Sequence, residues 1–501
     1  MAQVELHTTV TLADVARATG AELTGDGSAA VSDVTHDSRQ ARAGSLFVAI
    51  KGERCDAHAF IPQIVAQGAV GVLSGRERPE DFKGAWLRVA DARRALAFAA
   101  AEVQRHPSRE LKLVAVTGTN GKTTTAHIVA SISEAAGERV AVLGTVGYRI
   151  GDEHFDAPHT TPEASDVQRF LRRAVGAGCR VAVMESSSQA LDLHRCDALT
   201  VSAAAFTNLT QDHLDYHGTM ERYFDAKRRL FDGRTGGRPA VSVINMDDEY
   251  GVRLARSLRD AGARLITYAL RAGADVTARG VEYSLGGNRF ELISPAGSLP
   301  VRSQLVGQPH VYNVLTAASC ALALGYDLET ISRAVETCAG APGRFERVAH
   351  AGDFAVVVDY AHTDDALRNV LRTAREVAAK GARVITVFGC GRDRDRTKRA
   401  PMGEAAGELS DVVVLTSDNP RTEDPEAILR DAEVGLKKVG KHYMKLVDRR
   451  EAITRAIDEA RTGDVVVIAG KGHETYQIVG DRTLRFDDRE VAREALAARI
   501  G

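Results

Sequence analysis

The sequence predicts an α/β protein of three domains. Its 501 residues correspond to about three domains of roughly 150 residues each. Short β-branched runs alternate with helix-like segments through most of the chain, which favours parallel sheets covered by helices. A polar, proline-bearing stretch at residues 104–110 reads as a linker, and a new series of strands starts near Gly343. We therefore predict domains at residues 1–106, 107–341 and 342–501.

The composition is typical of a globular protein, with 44% hydrophobic and 26% charged residues. Lys and Arg number 65 against 67 Asp and Glu, so we expect no nucleic-acid partner, because phosphate neutralisation needs a basic surface. No signal peptide is visible, and no apolar run approaches the roughly 20 residues of a membrane span. The six cysteines have no C-x-x-C spacing, as expected for reduced thiols. We expect a cytoplasmic monomer that does not contact a membrane.

The first unit combines short helices and strands with one polar loop. The pattern predicts a capped helix over residues 11–19 and a strand over 46–50. Between them, Asp37, Ser38 and Arg39 form a loop that could hold a sugar or a phosphate through hydroxyl and guanidinium contacts. Taken alone, these residues favour a turn whose polar groups are satisfied within the protein.

The central unit opens with a glycine-rich loop between a β-branched run, residues 114–116, and an amphipathic helix. The arrangement exposes several backbone N–H groups toward one point and predicts an anion site. The general pattern G-x-x-x-x-G-K-[ST] is not met in full, because Ala115 stands at its first position. A turn that binds nothing is the alternative. We predict a nucleoside triphosphate site at Gly118, Thr119, Asn120, Gly121, Lys122, Thr123 and Thr124, with Lys122 on the β/γ-phosphates and Thr123 on Mg²⁺.

Further strands are predicted in this unit over residues 139–144, 181–184, 200–208 and 240–244, and a β-rich region over 275–305. Glu185 follows one of these strands and could supply a second Mg²⁺ ligand, unless it is a surface carboxylate at a strand end. The loop at 206–218 is crowded with His and acidic residues, including His213, and could supply a metal ligand or a proton carrier.

The next predicted helix carries a lysine on its apolar face. Thr219 can cap it, and Lys227 falls in the same stripe as Met220, Tyr223, Phe224 and Phe231. An ammonium held inward tends to lose its proton. Lys227 could pair with a carboxylate or a phosphate, react as a free amine, or extend along the apolar surface to reach water, which spacing alone favours.

The third unit predicts an open, Rossmann-like α/β sheet with strands over 354–359, 384–388, 412–416 and 465–469. Ligands of such sheets lie beyond the carboxyl ends of the strands. Three of these ends would bring Arg394, Arg421 and Glu474 to one edge. Two guanidiniums and a carboxylate suit a zwitterionic amino acid, since Arg binds carboxylates and Glu binds ammonium. Three unrelated surface loops are the alternative.

These segments together resemble the Mur ligase family, the ATP-dependent amide-forming enzymes of peptidoglycan precursor assembly. The resemblance covers essentially the whole chain. It implies a small N-terminal α/β domain for a uridine nucleotide, a central P-loop ATPase domain and a C-terminal domain for an amino acid. The matching segments are residues 37–39, 117–125, 159–161, 185–195, 208–218, 227, 313, 343–346, 359–363, 418–421 and 470–474.

The resemblance also implies a reaction, in which meso-diaminopimelate is added to UDP-N-acetylmuramoyl-L-alanyl-D-glutamate through an acyl phosphate. The Asp-Asn-Pro-Arg sequence that ends at Arg421 is the form seen in meso-diaminopimelate-adding members, and Arg421 can bind the second carboxylate that lysine lacks. Two Mg²⁺ sites are implied. Lys227 matches the family lysine that CO₂ converts to N6-carboxylysine, which would hold the second Mg²⁺ with Glu185 and His213. The implied catalytic residues are thus Lys122, Glu185, His213 and Lys227.

The remaining site residues also follow from the resemblance. Around the ATP it implies Asn313, Arg344, Asp359 and His362. For the uridine nucleotide it implies Ser38, Glu53, Arg54 and Cys55, and for the muramoyl-dipeptide Thr160, Thr161, Ser187 and Arg195. For the amino acid it implies Arg394, Asp418, Asn419, Pro420, Arg421, Gly470 and Glu474.

Rival functions divide into sister ligases and a non-enzyme. A ligase of the same build could add L-lysine or another amino acid, add D-alanyl-D-alanine, or resemble folylpolyglutamate synthetase. The uridine-nucleotide domain argues against the folate enzyme, and residues 418–421 argue against the dipeptide-adding one. A non-catalytic nucleotide-binding regulator would be expected to lack Glu185, Lys227 or the Arg394 and Arg421 pair, and all are present.

Overall fold

The computed structural model describes residues 9–52, 55–391 and 396–500. The first unit has a five-stranded sheet covered by helices. Its elements are α1 Leu12–Thr19, β1 Glu22–Thr24, β2 Asp33–Thr35, β3 Ser45–Ala49, a 3₁₀ turn Ala57–Phe60, α2 Ile61–Ala66, β4 Gly71–Ser74, β5 Ala85–Arg88 and α3 Ala92–Val103. The strand order is β1-β5-β4-β3-β2, with β1 antiparallel to β5.

The helix and strand predicted in this unit are both present. Thr11 caps α1 through a reciprocal pair, in which Asp14 N donates to Thr11 Oγ1 and Thr11 N donates to the Asp14 carboxylate. The helix ends at Gly20, which is left-handed with a φ of 68°. The strand predicted over residues 46–50 is β3, which is buried along its whole length.

The central unit follows a 3₁₀ turn, Pro107–Arg109, that lies in the predicted linker. Its strands are β6 Lys112–Thr117, β7 Val140–Gly144, β8 Gly147–Ile150, β9 Glu153–Phe155, β10 Val181–Glu185, β11 Ala203–Phe206, β12 Val241–Asn245, β13 Leu265–Tyr268, β14 Thr277–Ser284, β15 Gly287–Ser294 and β16 Gly297–Ser303. Its helices are α4 Lys122–Ala135, α5 Ala164–Gly176, α6 Ser188–Asp192, α7 Leu214–His217, α8 Met220–Arg228, α9 Glu249–Asp260, α10 Gln308–Ala323 and α11 Leu328–Thr337.

The main sheet of this unit has eight strands in the order β13-β12-β11-β6-β10-β7-β8-β9. Six of them are parallel as predicted, and β8 and β9 add an antiparallel edge that the prediction did not include. Side chains of α4, α10 and α11 pack in the core on one face, and those of α5, α8 and α9 pack on the other. The predicted β-rich region is a separate antiparallel sheet, β14-β15-β16.

The third unit has a six-stranded sheet between two layers of helices. Its elements are β17 Glu346–Arg347, β18 Ala355–Asp359, α12 Asp364–Val377, β19 Val384–Cys390, a 3₁₀ turn Arg396–Lys398, α13 Arg399–Leu409, β20 Val412–Ser417, α14 Pro425–Val439, β21 Tyr443–Lys445, α15 Arg449–Glu459, β22 Val465–Ala469, β23 Tyr476–Val479, β24 Arg482–Arg485 and α16 Asp488–Ile500.

The four strands predicted here are the four adjacent inner strands of the order β17-β18-β22-β19-β20-β21. They are mutually parallel, so their carboxyl ends meet at one edge, and the predicted α/β class is confirmed. The hairpin β23-β24 lies outside this sheet. All six cysteines lie in the described part of the chain and are free thiols. Within the same part, no helix has both the length and the apolar character needed to cross a bilayer.

Candidate active site

The predicted phosphate loop lies between β6 and α4. Gly118 and Gly121 have φ values of 147° and 86°, and a Cβ on Gly121 would lie 2.5 Å from Asn313 Oδ1. Both positions therefore require glycine. Lys122 Nζ donates to two carbonyls of the loop, those of Gly118 at 3.0 Å and Thr119 at 2.9 Å. Burial lowers the pKa of Lys122, and the Glu185 carboxylate opposes this shift.

Glu185 lies at the end of β10, beside the start of α4. Its side chain accepts hydrogen bonds from Thr123 Oγ1 at 2.9 Å, from Thr145 N at 2.7 Å and from Thr145 Oγ1 at 3.1 Å. Glu185 is 1% exposed, so the alternative of a surface carboxylate is wrong. A Cβ on Gly144 would collide with Glu185 Oε1, which explains the glycine that precedes Thr145. Hydroxyl and carboxylate oxygens thus meet at the loop.

Lys227 on α8 is 1% exposed, so the extension of its side chain to water, favoured from the spacing, is wrong. Its Nζ donates to the carbonyl of Gly118 at 2.8 Å and lies 4.5 Å from the ring centre of Tyr223. Burial, and then the charge of Lys122, hold the pKa of Lys227 well below its ordinary value. Burial thus disfavours the charged form of this amine, which is directed into the phosphate loop.

His213 starts α7 in a left-handed conformation, with a φ of 52°. Its ring lies 3.4 Å from Asp212, which in turn lies 3.4 Å from Lys398 Nζ of the third unit. Partial burial lowers the pKa of His213, Asp212 opposes this, and the charges of Lys122 and Lys227 lower it further. The imidazole is therefore neutral at pH 7 and able to bind a metal.

A cavity of about 410 Å³ adjoins the phosphate loop between the central and third units. Three of the residues predicted around the ATP line it, Asn313, Arg344 and Asp359. Burial raises the pKa of Asp359, and the charge of Arg344 opposes the shift. His362 does not line the cavity; its Nδ1 lies 2.9 Å from the carbonyl of Tyr360, whose ring stacks 4.7 Å from the Arg344 guanidinium.

The predicted amino-acid site is at the carboxyl ends of β20 and β22. Asn419 Nδ2 donates to Glu474 Oε2 at 2.9 Å and joins the two loops. Gly470 has a φ of 118°, and a Cβ there would lie 2.6 Å from Asp418 Oδ2. Burial raises the pKa of Asp418. The two loops therefore meet through Asp418 with Gly470 and Asn419 with Glu474. Pro420 and Arg421 follow in the first loop, and Arg394 lies outside the described residues.

The residues predicted for the muramoyl-dipeptide cluster beside Glu185. Thr161 Oγ1 donates to the carbonyl of Glu185 at 2.7 Å and accepts from Ser187 N at 3.2 Å. Thr160 Oγ1 lies 3.1 Å from Thr145 Oγ1. Arg195 donates to the carbonyl of Thr161 at 3.1 Å and pairs with Glu163 at 2.6 Å.

The residues predicted for the uridine nucleotide lie in the first unit. Ser38 is half-buried in a turn in which Arg39 pairs with Asp37 at 2.7 Å. Cys55 is exposed, and Glu53 and Arg54 lie outside the described residues. Asp37 also accepts from Arg39 N at 2.9 Å, and the contacts of these residues with a nucleotide stay a prediction.

Comparison with known proteins places these sites in a family. Residues 30–104 match the model described as Mur ligase family, catalytic domain. Residues 116–321 match Mur ligase middle domain, and residues 343–472 match Mur ligase, glutamate ligase domain. The UDP-N-acetylmuramoyl-L-alanyl-D-glutamate–2,6-diaminopimelate ligase of Solibacter usitatus is 46% identical over 466 residues, which span 93% of each chain. This chain belongs to the Mur ligase family.

Two further similarities extend over nearly the whole Mur ligase chain. The ligase of the same name from Geobacillus thermodenitrificans is 46% identical over 468 residues, covering 92% of this chain and 94% of that one. A solved structure of a UDP-N-acetylmuramoyl-L-alanyl-D-glutamate–2,6-diaminopimelate ligase is 35% identical, with a TM-score of 0.73, and covers 99% of this chain and 100% of its own. The predicted family and three-domain architecture are confirmed.

The predicted sites of this Mur ligase omit a contact between its central and third units. Asp365 Oδ2, in the first turn of α12, accepts hydrogen bonds from Thr210 Oγ1 at 3.0 Å and from Asn120 Nδ2 of the phosphate loop at 3.3 Å. Asp365 was not among the predicted site residues. A carboxylate just after Thr363, which caps α12, is an ordinary helix-start residue, so its sequence position carried no signal.

A second omission concerns the cavity wall of the Mur ligase. Asp247 accepts from Tyr312 Oη at 2.8 Å and from the N–H groups of Leu270 at 2.6 Å and Ala272 at 2.8 Å. Asp247 and Tyr312 line the cavity together with residues of the phosphate loop. Here a signal was present, because Asp247 closely follows a predicted strand at the ligand-binding edge of the sheet.

Proposed function

We propose that this protein joins meso-diaminopimelate to UDP-N-acetylmuramoyl-L-alanyl-D-glutamate at the expense of ATP, which yields the UDP-N-acetylmuramoyl-tripeptide of peptidoglycan synthesis. The observation that carries the proposal is the junction of residues 418–421 with Glu474, through Asn419, at the carboxyl edge of the third sheet. The names of relatives about 46% identical over more than 90% of the chain support the same reaction. We further propose that it acts as a cytoplasmic monomer.

Each domain has one main ligand in this proposal, with further contacts from its neighbours. Residues 1–106 bind the uridine nucleotide, residues 107–341 bind ATP, and residues 342–501 bind the amino acid. The hydrogen bonds from Asn120 and Thr210 to Asp365 support this division, since they connect the phosphate loop with the third unit. Bringing the three ligands together in this way sequesters the reacting groups from water.

The chemistry consists of a phosphoryl transfer followed by an acyl transfer. Lys122 and the N–H groups at the start of α4 hold the triphosphate and offset its charge, which otherwise repels the approaching carboxylate. The D-glutamyl γ-carboxylate attacks the γ-phosphorus, the bond to the β-phosphate oxygen breaks, and ADP leaves. The amine of meso-diaminopimelate then attacks the acyl carbon, loses a proton and displaces inorganic phosphate.

The residues around Glu185 fit Mg²⁺, which prefers oxygen ligands. The Thr123 hydroxyl and the Glu185 carboxylate are such ligands, held 2.9 Å apart beside the loop. When bound, the metal would neutralise charge on the phosphates. Thr123 and Glu185 would hold a first ion, and Glu185 would share a second with His213 and Lys227.

Lys227 fits a carboxylated form. Within the described residues, no three His, Cys, Asp or Glu side chains are close enough to form a metal site, so a second ion needs another anionic ligand. A neutral buried amine can attack CO₂ and lose a proton, which leaves a carbamate. The lowered pKa of Lys227 supports this reaction, and its distance of 2.8 Å from the Gly118 carbonyl directs it to the loop.

Phosphate release tests the proposal. The protein is supplied with ATP, Mg²⁺ and UDP-N-acetylmuramoyl-L-alanyl-D-glutamate, and then with one amino acid at a time. We expect release with meso-diaminopimelate that depends on all three substrates. Equal release with L-lysine would contradict the assigned amino acid, and release that does not require the uridine nucleotide would contradict the assigned acceptor.

A further inference from the structure

Lys471 is a fully buried cation at the edge of the proposed amino-acid site. It follows β22 directly after Gly470, and its side chain is 0% exposed. Lysine is rarely buried to this degree unless its charge is paired. Neither the predicted site nor the proposed mechanism uses this side chain.

Its charged partner is Glu474, the carboxylate assigned to the ammonium of the amino acid. Lys471 Nζ donates to Glu474 Oε2 at 3.0 Å, and Asn419 Nδ2 donates to the same oxygen at 2.9 Å. The other oxygen, Oε1, accepts no hydrogen bond from the residues at 9–52, 55–391 and 396–500. The carboxylate is thus fixed by one oxygen, and the second is available to a ligand.

Lys471 also holds the hairpin that covers this site. Its Nζ donates to the carbonyl of Tyr476, the first residue of β23, at 2.5 Å. The same strand is bound to the neighbouring loop, because Ile478 N donates to Asn419 Oδ1 at 2.9 Å and Gln477 Nε2 donates to the carbonyl of Asp418 at 2.7 Å. Lys471 therefore connects Glu474, the hairpin and, through Asn419, the 418–421 loop.

We propose that Lys471 is a positioning residue for the incoming amino acid. It acts through Glu474, whose Oε2 it occupies so that Oε1 is presented to the substrate ammonium. This role rests on the proposed function, because it assumes that Glu474 binds the amino acid. A salt bridge that served stability alone would not require Oε1 to lack a hydrogen bond from the described part of the chain.

A double-mutant cycle tests this role. The variants are Lys471→Met, Glu474→Gln and the two together, and the control is Lys437→Met on α14, whose side chain is 67% exposed. For each variant, kcat and the KM values for meso-diaminopimelate and ATP are measured by phosphate release. We expect Lys471→Met to raise the KM for meso-diaminopimelate about tenfold or more, since breaking a buried charge pair is costly, and to leave the KM for ATP within about twofold.

The coupling between the substitutions at Lys471 and Glu474 decides whether Lys471 acts through Glu474. In the Glu474→Gln background, Lys471→Met should change the KM for meso-diaminopimelate by less than about twofold, because its target is already altered. Independent effects that multiply, or an equal rise in the KM for ATP, would overturn the proposal. Wild-type protein that is inactive with meso-diaminopimelate would instead refute the proposed function before any variant is compared.

Loss of folding in Lys471→Met is also informative. Removing the cation leaves Glu474 partly buried without its partner, which destabilises the fold. The double variant leaves no unpaired charge, so its circular dichroism and melting temperature should return toward those of the wild type. A double variant that is as unfolded as Lys471→Met would show that Lys471 does not act through Glu474, and would overturn the proposal.

Discussion

Substitution of Gly144 by alanine isolates the role of the Glu185 carboxylate. Gly144 is the last residue of β7, and its backbone is one that alanine can adopt, because its φ is not positive. The added Cβ would lie closer than 3.0 Å to Glu185 Oε1 and 3.3 Å from its Cδ. The carboxylate must therefore move, although no metal-binding or phosphate-binding group has itself been changed.

The size of the effect follows from the bonds that would be lost. Glu185 accepts from Thr145 N at 2.7 Å and from Thr123 Oγ1 at 2.9 Å. A hydrogen bond to a charged group contributes about 1.5–3 kcal/mol. Loss of one such bond from the reactive arrangement lowers kcat/KM by about 10- to 150-fold, at about 1.4 kcal/mol for each tenfold.

The assay is steady-state phosphate release at several Mg²⁺ concentrations. We expect Gly144→Ala to lower kcat/KM by this amount and to require more Mg²⁺ for half-maximal rate. Gly176→Ala is the control, because a Cβ there would meet no atom within 4 Å. A folded Gly144→Ala protein with kcat/KM within about twofold of wild type would refute the assignment of Glu185, as would an equal loss in the control.

Three further substitutions test separate parts of the site. Arg421→Ala should raise the KM for meso-diaminopimelate by about 10- to 150-fold, the value of a charged hydrogen bond, and barely change that for ATP; equal effects would mean that Arg421 does not bind the amino acid. Lys227→Ala should abolish activity that bicarbonate cannot restore and short-chain carboxylates partly restore; full activity would exclude the carbamate. Asp365→Ala should lower kcat/KM by about 10-fold or more, because both hydrogen bonds lost are to a charged carboxylate, whereas its neighbour Asp364→Ala should have no effect. An unchanged Asp365→Ala rate would show that its contact with the phosphate loop has no part in catalysis.

The inner strands of the sheets could be predicted because they are buried on both faces. Val465–Ala469 was predicted with the bounds that the structure has, and every residue in it is buried. The strand predicted over residues 384–388 continues to Cys390, since Gly389 and Cys390 still pair with Thr416 and Ser417. A glycine normally indicates the end of a strand, and only the neighbouring strand reveals that pairing continues.

The antiparallel edge of the central sheet could not be predicted from its residues. Strands β8 and β9 are mostly exposed or half-buried, so they lack the continuous apolar run of a buried strand. The end of α8 could not be predicted from the apolar stripe either. The apolar stripe extends to Phe231, but the helix ends at Arg228 and Phe231 lies in the following turn. Tertiary packing, which the local sequence does not reveal, sets both the antiparallel edge strands and the end of α8.

In the site, too, features within one short segment could be predicted, and contacts between distant segments could not. The phosphate loop carries its chemistry in seven consecutive residues, so its position was evident. Thr145 and Asp365 contact Glu185 and Asn120 from 40 and 245 residues away along the chain. Nothing in their own sequence neighbourhoods indicates these contacts. The burial of Lys227 could be predicted only in part. Its helical spacing placed it on the apolar face, but spacing did not exclude that its side chain extends to the solvent.

Competition among amino acids tests the central claim most directly. The protein is incubated with ATP, Mg²⁺, UDP-N-acetylmuramoyl-L-alanyl-D-glutamate and an equimolar mixture of meso-diaminopimelate, L-lysine and D-alanyl-D-alanine, and the uridine-containing products are separated by mass. The account predicts one dominant product, the nucleotide extended by diaminopimelate through a single amide bond. A dominant product extended by lysine or by the dipeptide, or ATP hydrolysis with no extended nucleotide, would contradict it.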